Sequence, residues 1–209
     1  MRILPKGLYA ITAQNLSAGR DNIDVVKQML LAQVKVLQYR EKYKTKREKY
    51  AECKIIRELT KEFNCCFIVN DDIDIALSVK SDGVHLGQDD LPILEARKIL
   101  GADMIIGIST HNPAQAQAAV LEGADYIGVG PIFKTFTKDN VCDPVGVQYL
   151  DYCIKNIKIP KVAIGGIKLS NLAQIAKFKS ENIAMVSEIT SAKNIQDIIA
   201  KAKKIIDEA

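Results

Sequence analysis

The chain has 209 residues, of which 48% are apolar and 26% charged, and its 29 Lys and Arg outnumber its 25 Asp and Glu. This composition excludes a disordered, collagen-like or coiled-coil protein and predicts a single domain over residues 1–209. The net charge of +4 is too small to require nucleic acid as a partner, but it suits a small anionic ligand.

The five cysteines form no C-x-x-C motif and have no histidine partners at zinc spacing. We therefore expect reduced thiols in a cytoplasmic protein. The first residues lack a signal-peptide core, and the longest uncharged stretch, 104–121, is interrupted by polar residues and Pro113. The sequence thus predicts small-molecule partners, with neither nucleic acid nor membrane, and it is compatible with a homo-oligomer.

Eight short apolar runs alternate with amphipathic stretches along the chain. The runs are residues 8–12, 36–39, 66–69, 83–86, 104–108, 125–129, 161–164 and 183–186. Their length, and the polar or glycine residues that bound them, are typical of buried parallel strands. The clearest helical patterns are residues 22–34, 46–63, 113–122 and 191–206, and Asn112 with Pro113 is a good helix start.

Eight βα units predict an α/β fold consisting of a single (β/α)8 TIM barrel, with its active site at the carboxyl ends of the strands. An open doubly wound sheet is the alternative. It is disfavoured because no G-x-G-x-x-G motif follows the first apolar run.

Polar residues crowd the positions where the predicted strands end. They occupy residues 38–42, 70–72, 85–90, 109–111, 135–138, 165–166 and 187–188. Simpler interpretations stay open for several of them. The charges from Arg40 onwards could form a solvated loop, Asp71 or Asp72 and Asp90 could cap helices, and His85 is expected to fill a barrel layer. His111 could either pack at the rim of the barrel or take part in the reaction.

Two anion sites are predicted at this rim. Gly165 and Gly166 allow close approach of the main chain, and Ser187 adds a hydroxyl, so a phosphate could lie after strands 7 and 8. A tight turn is the alternative for the two glycines.

The second predicted site combines cationic and acidic side chains, which are Arg40, Lys42, Lys138, Asp71 and Asp90. Cations beside carboxylates suggest a diphosphate with Mg²⁺. The sequence contains no G-x-S-x-G, Walker or H-E-x-x-H motif, so a transferase that aligns two substrates and stabilises a leaving group fits best.

Several motifs resemble those of the thiamine phosphate synthase family over about residues 8–199. They are Leu-Gln-Tyr-Arg-Glu-Lys at 37–42, Val-Asn-Asp-Asp at 69–72, Gly-Val-His-Leu-Gly-Gln-Asp-Asp-Leu-Pro at 83–92, the segment 130–146, Ala-Ile-Gly-Gly-Ile at 163–167 and Val-Ser at 186–187. The resemblance implies a TIM barrel that joins 4-amino-5-hydroxymethyl-2-methylpyrimidine diphosphate to 4-methyl-5-(2-hydroxyethyl)thiazole phosphate. The products are thiamine phosphate and pyrophosphate, and the reaction requires Mg²⁺.

The resemblance also implies the roles of individual residues. The pyrimidine diphosphate would be bound by Gln38, Arg40, Lys42, Asn70 and Lys138, and Mg²⁺ by Asp71 and Asp90. Ser109 would lie at the pyrimidine and leaving oxygen. The thiazole phosphate would be bound by Thr135, Thr137, Gly166, Val186 and Ser187. Ser109 and Lys138 are the predicted catalytic residues.

Two other functions are compatible with the fold. One is a thiazole tautomerase, with His111 as acid or base, and the other is a non-catalytic barrel that binds thiamine precursors. Glu188 departs from the family pattern and is expected to turn outward or pair with a cation such as Lys168. Residues 134–143 are expected to form a lid that delivers Lys138.

Overall fold

A computed structural model describes residues 3–137 and 142–209 of the chain. Its strands form a closed, entirely parallel barrel in which each strand pairs with the next and β8 pairs with β1. The strands are β1 Gly7–Ile11, β2 Val36–Tyr39, β3 Cys66–Asn70, β4 Gly83–Leu86, β5 Ile105–Thr110, β6 Tyr126–Val129, β7 Lys161–Ala163 and β8 Asn182–Met185. The predicted TIM barrel is confirmed.

Helices follow the strands around the outside of the barrel. They are α1 Asn22–Leu31, α2 Lys46–Glu62, α3 Ile73–Val79, α4 Ile93–Leu100, α5 Pro113–Leu121, α6 Gly146–Asn156, α7 Leu169–Ala176, α8 Ser187–Thr190 and α9 Ile195–Asp207, with a 3-10 turn at Gln14–Leu16. The last predicted helix, 191–206, begins later than expected because the chain first makes the short helix α8. No helix in the described part of the chain is long and apolar enough to cross a membrane.

Strict alternation along the strands separates two apolar cores. In β1, Leu8 and Ala10 face the large core between strands and helices, whereas Tyr9 and Ile11 belong to the core inside the barrel. The same alternation places Gln38 on the inner side of β2, because its neighbour Leu37 belongs to the outer core. Inner positions near the carboxyl ends of the strands therefore supply the polar residues of the barrel mouth.

The barrel closes where the first and last strands meet. Tyr9 lies opposite Ala184 in the β1–β8 register. The Asn182 side chain donates to the carbonyls of Pro5 and Gly7, at 2.7 and 3.2 Å. One amide side chain thus fixes the entry of β1 against β8.

Candidate active site

Two adjoining cavities open at the carboxyl ends of the strands. The larger measures about 400 Å³ and the smaller about 200 Å³. Arg40, His85 and Ser109 line both of them. A molecule in one cavity would therefore lie next to a molecule in the other.

The smaller cavity is polar and contains both predicted acidic ligands. Asp71 and Asp90 line it together with Lys42 and Asn70. The Asp71 carboxylate accepts from Lys42, and its backbone adopts φ 60°, a conformation that is uncommon for a residue with a side chain. Such strain concentrates at functional sites, where the surrounding structure imposes it.

The expectation of helix caps holds in part, because Asp72 occupies a cap position whereas Asp71 and Asp90 do not. Asp72 holds the cap position of α3, but its side chain makes no cap hydrogen bond and accepts instead from Lys49 at 2.7 Å. The cap position of α4 is Pro92, and the Asp90 carboxylate accepts from the N–H of Gly87 at 2.6 Å. Asp71 and Asp90 are thus held at the cavity by local loop geometry.

The segment after β2 is a loop that is exposed in part, as at Lys42, but its first residue is anchored. Arg40 N–H donates to the Thr12 hydroxyl at 2.8 Å, and that hydroxyl donates back to the Arg40 carbonyl at 3.3 Å. Behind the strand, the Glu52 carboxylate accepts from the Tyr39 hydroxyl at 2.6 Å and from Lys44. Arg40 is therefore fixed at the backbone before any ligand arrives.

Two buried tyrosines form the floor of the larger cavity. Tyr9 and Tyr126 lie inside the barrel, with their hydroxyls 2.9 Å apart. Burial raises the pKa of each well above that of an exposed tyrosine, so both stay protonated. Glycines make room for this floor: a Cβ on Gly107 would lie 2.0 Å from the Tyr126 ring, and one on Gly128 would lie 3.3 Å from the His85 ring.

The opposite wall of the larger cavity is formed after β7 and β8. Gly165 and Gly166 have φ of 101° and 63°, and added Cβ atoms would meet Pro131 at 2.4 Å and the Lys134 carbonyl at 2.6 Å. The glycines thus let the loop after β6 approach β7, and they also bring the main chain to the cavity. Ser187 begins α8, where backbone N–H groups lack intrahelical acceptors.

Glu188 turns away from this wall. Its carboxylate accepts from the N–H of Leu169, the first residue of α7, at 3.2 Å. The side chain was expected to turn outward or to pair with a cation such as Lys168; it turns away from the cavity, and its partner is a backbone amide.

Each predicted site residue that the structure describes lines one of the two cavities. The larger is lined by Gln38, Arg40, Ser109, Thr135, Thr137, Gly166, Val186 and Ser187, and the smaller by Arg40, Lys42, Asn70, Asp71, Asp90 and Ser109. Lys138 lies outside the described residues, as do residues 139–141 of the expected lid.

The residues of the smaller cavity fit a magnesium ion. In the described part of the chain no group of three or more His, Cys, Asp or Glu could hold a metal. Mg²⁺ does not need one, because it is usually bound by one or two carboxylates with substrate phosphates and water. Asp71 and Asp90 supply that hard oxygen donor set beside Lys42, which suits a phosphate.

Sequence reasoning missed the residues that form the cavity floor. The sequence shows Tyr9 and Tyr126 only as parts of apolar runs, and it predicts that His85 fills a barrel layer. His85 does lie in the barrel, but it also lines both cavities and contacts Ser109 at 3.0 Å. The available signal was strand alternation, which places Tyr9 and His85 at inner positions.

A parallel barrel with a glycine-lined wall and an acidic cleft at its mouth has the features of a (β/α)8 enzyme that binds phosphorylated molecules. Residues 8–189 match the profile of the family described as thiamine monophosphate synthase. The chain belongs to this family.

Similar proteins agree with that membership. The thiamine-phosphate synthase of Pelotomaculum thermopropionicum is 54% identical over 98% of this chain and 94% of its own length, and that of Lawsonia intracellularis is 50% identical over 97% and 94%. A solved thiamine phosphate pyrophosphorylase from Pyrococcus furiosus superposes with a TM-score of 0.89 at 34% identity, covering 98% of this chain and 96% of that one. A 3-hexulose-6-phosphate synthase shares the fold alone, with a TM-score of 0.66 at 14% identity.

Proposed function

We propose that this barrel is a thiamine phosphate synthase. It joins 4-amino-5-hydroxymethyl-2-methylpyrimidine diphosphate to 4-methyl-5-(2-hydroxyethyl)thiazole phosphate and releases pyrophosphate. One observation carries the proposal: the polar cleft suited to a diphosphate and the larger cavity suited to the two rings meet at Ser109, which lines both. Family membership supports the same reaction.

The diphosphate would occupy the smaller cavity. Lys42 would exchange its ion pair with Asp71 for a phosphate oxygen, and Arg40 would contact the same group from its anchored backbone position. Asp71 and Asp90 would hold Mg²⁺, which when bound neutralises charge on the diphosphate. Lys138 would add a further cation to the leaving group.

The bond changes balance without a covalent enzyme intermediate. The C–O bond between the pyrimidine methylene and the diphosphate breaks, and its electron pair leaves with the oxygen. The electron-rich aminopyrimidine stabilises the resulting cation. The thiazole nitrogen then donates its lone pair to form the new C–N bond, so the chain mainly aligns the two rings and stabilises the departing anion.

The thiazole phosphate would lie against the wall after β7 and β8. Gly166 and Ser187 would present backbone N–H groups, and the hydroxyls of Thr135 and Thr137, 3.1 Å apart, lie on the same cavity. A thiazole tautomerase would need only this half of the site. The adjoining cleft with its two carboxylates therefore favours the joining reaction.

The decisive assay is pyrophosphate release by purified protein supplied with both substrates and Mg²⁺. We expect release to require all three components and to fall to background with a chelator. Asp71→Asn should remove most of the activity. Asp74→Asn is the matched control. Asp74 lies on α3 and forms an exposed ion pair with Lys46 of α2, so this substitution should leave activity unchanged. Binding of both substrates without turnover would instead support the precursor-binding barrel.

A further inference from the structure

A continuous chain of hydrogen bonds runs beneath the larger cavity. Gln38 Nε2 donates to the Tyr9 hydroxyl at 2.8 Å, and the Tyr9 and Tyr126 hydroxyls are 2.9 Å apart. The Tyr126 hydroxyl lies 2.9 Å from His85 Nδ1, and His85 Nε2 lies 3.0 Å from Ser109 Oγ. The chain thus connects β2, β1, β6, β4 and β5 across the interior of the barrel.

The first bond fixes the direction of the others. Because Tyr9 accepts from Gln38, its single hydroxyl hydrogen goes to Tyr126, and Tyr126 in turn donates to His85 Nδ1. A neutral His85 then carries its hydrogen on Nε2 and donates it to Ser109 Oγ. Both tyrosines stay protonated, since burial raises the pKa of each, so the sequence of donors persists at neutral pH.

We propose that this chain of hydrogen bonds acts as a directional relay, whose members are Gln38, Tyr9, Tyr126 and His85. The relay makes the Ser109 hydroxyl accept a hydrogen bond from His85. The hydrogen of the Ser109 hydroxyl is then available to be donated into the cavity. A reversed chain would make Ser109 donate to His85 and would turn its lone pairs outward. Only the first direction suits an oxygen that gains negative charge. The two tyrosines and His85 are positioning residues for Ser109, and this catalytic consequence rests on the proposed function.

The other histidine of the chain supplies an internal control. His111 Nδ1 lies 2.6 Å from the Gly130 carbonyl, which can only accept. A neutral His111 therefore carries its hydrogen on Nδ1. Because the sequence has only two histidines, the relay predicts one histidine of each tautomer.

Nitrogen-15 NMR of the two imidazole rings tests the direction without substrate or turnover. The spectra are recorded at about pH 8.5, two units above the model-peptide histidine pKa of about 6.5, so that they compare the tautomers of neutral rings. His111→Gln assigns the signals. We expect His85 to be protonated on Nε2 and His111 on Nδ1. His85 protonated on Nδ1, or an equal mixture of tautomers, would overturn the relay.

Gln38→Glu should reverse the chain while keeping the length of the side chain. An ionised carboxylate only accepts, so Tyr9 would donate to it, Tyr126 to Tyr9, and His85 would donate from Nδ1. We expect the His85 signals to switch tautomer and those of His111 to stay as they are. A folded variant whose His85 keeps its hydrogen on Nε2 would contradict the relay.

The catalytic consequence is tested by a double-variant cycle. Tyr126→Phe keeps the ring but removes the donor to His85, so kcat should fall about three- to tenfold with both KM values nearly unchanged. In a Ser109→Ala background the same change should have no further effect, because Tyr126 acts through Ser109. Equal losses in both backgrounds would mean a merely structural role. If the parent protein releases no pyrophosphate, the proposed function fails, while the NMR result still decides the direction of the chain.

Discussion

Gly107→Ala is expected to be among the most damaging single-methyl additions in the barrel. The added Cβ would lie 2.0 Å from Cζ of Tyr126 and 2.2 Å from its Cε1, whereas carbon atoms normally approach to about 3.5–4.0 Å. The ring must therefore move by more than about 1 Å. The Tyr126 ring is fully buried and lies opposite Gly107 in the β5–β6 register, so it cannot move without displacing other buried atoms.

The cost can be worked from these contacts. Overpacking a filled core costs about 1–3 kcal/mol, and moving Tyr126 also disturbs its hydrogen bonds to Tyr9 and His85, each worth about 1 kcal/mol. We expect the free energy of unfolding to fall by about 3–5 kcal/mol. For a chain of this length that corresponds to a loss in Tm of about 6–20 °C.

Urea and thermal unfolding measure this loss, with Gly128→Ala as the matched control. A Cβ at Gly128 would lie 3.3 Å from the His85 ring, so a shift of a few tenths of an ångström accommodates it, and we expect about 1 kcal/mol or less. Combining Gly107→Ala with Tyr126→Leu should cost less than the sum of the single changes. A Gly107→Ala variant as stable as its parent would refute the position of the ring.

Three further outcomes are expected. Asp71→Asn should lower turnover about a hundredfold and weaken its dependence on Mg²⁺, and near-normal magnesium titrations would exclude Asp71 as a ligand. Glu188→Ala should change the KM for thiazole phosphate less than tenfold. It should also lower the free energy of unfolding by about 1 kcal/mol, because the Leu169 N–H loses its acceptor. A large fall in KM would place the carboxylate in the phosphate pocket. A maleimide at neutral pH should modify exposed Cys142 before buried Cys65, because burial raises the pKa of Cys65 to about 12. Saturating substrate should slow the labelling of Cys142, which lines the larger cavity. Peptide mass spectrometry after brief labelling measures the order, and faster labelling of Cys65 would contradict the prediction.

The barrel was predictable because its signal is local. Each strand is a short apolar run, and eight repeats of one pattern leave few topologies. The errors occur where a local signal has competing meanings. Asp71 and Asp90 could have capped helices by their sequence positions, and α8 is too short to show a period.

The relay under the cavity was not predictable in the same way. Tyr9 and Tyr126 are far apart in sequence, and their hydroxyls meet only because β1 and β6 both project these side chains into the barrel interior. Alternation indicates that both side chains point inward, but not which of the inner residues touch. That depends on how the interior is filled, including the space left by Gly107.

The closure of the barrel has a consequence for the chain as it is being synthesised. β1 obtains its second neighbour only from β8, and the Asn182 side chain that holds the carbonyls of Pro5 and Gly7 also belongs to that last strand. Until Asn182–Met185 has left the ribosome, β1 presents an unpaired edge, and such edges recruit other chains. Nascent chains of this protein should therefore need protection from aggregation until β8 has emerged.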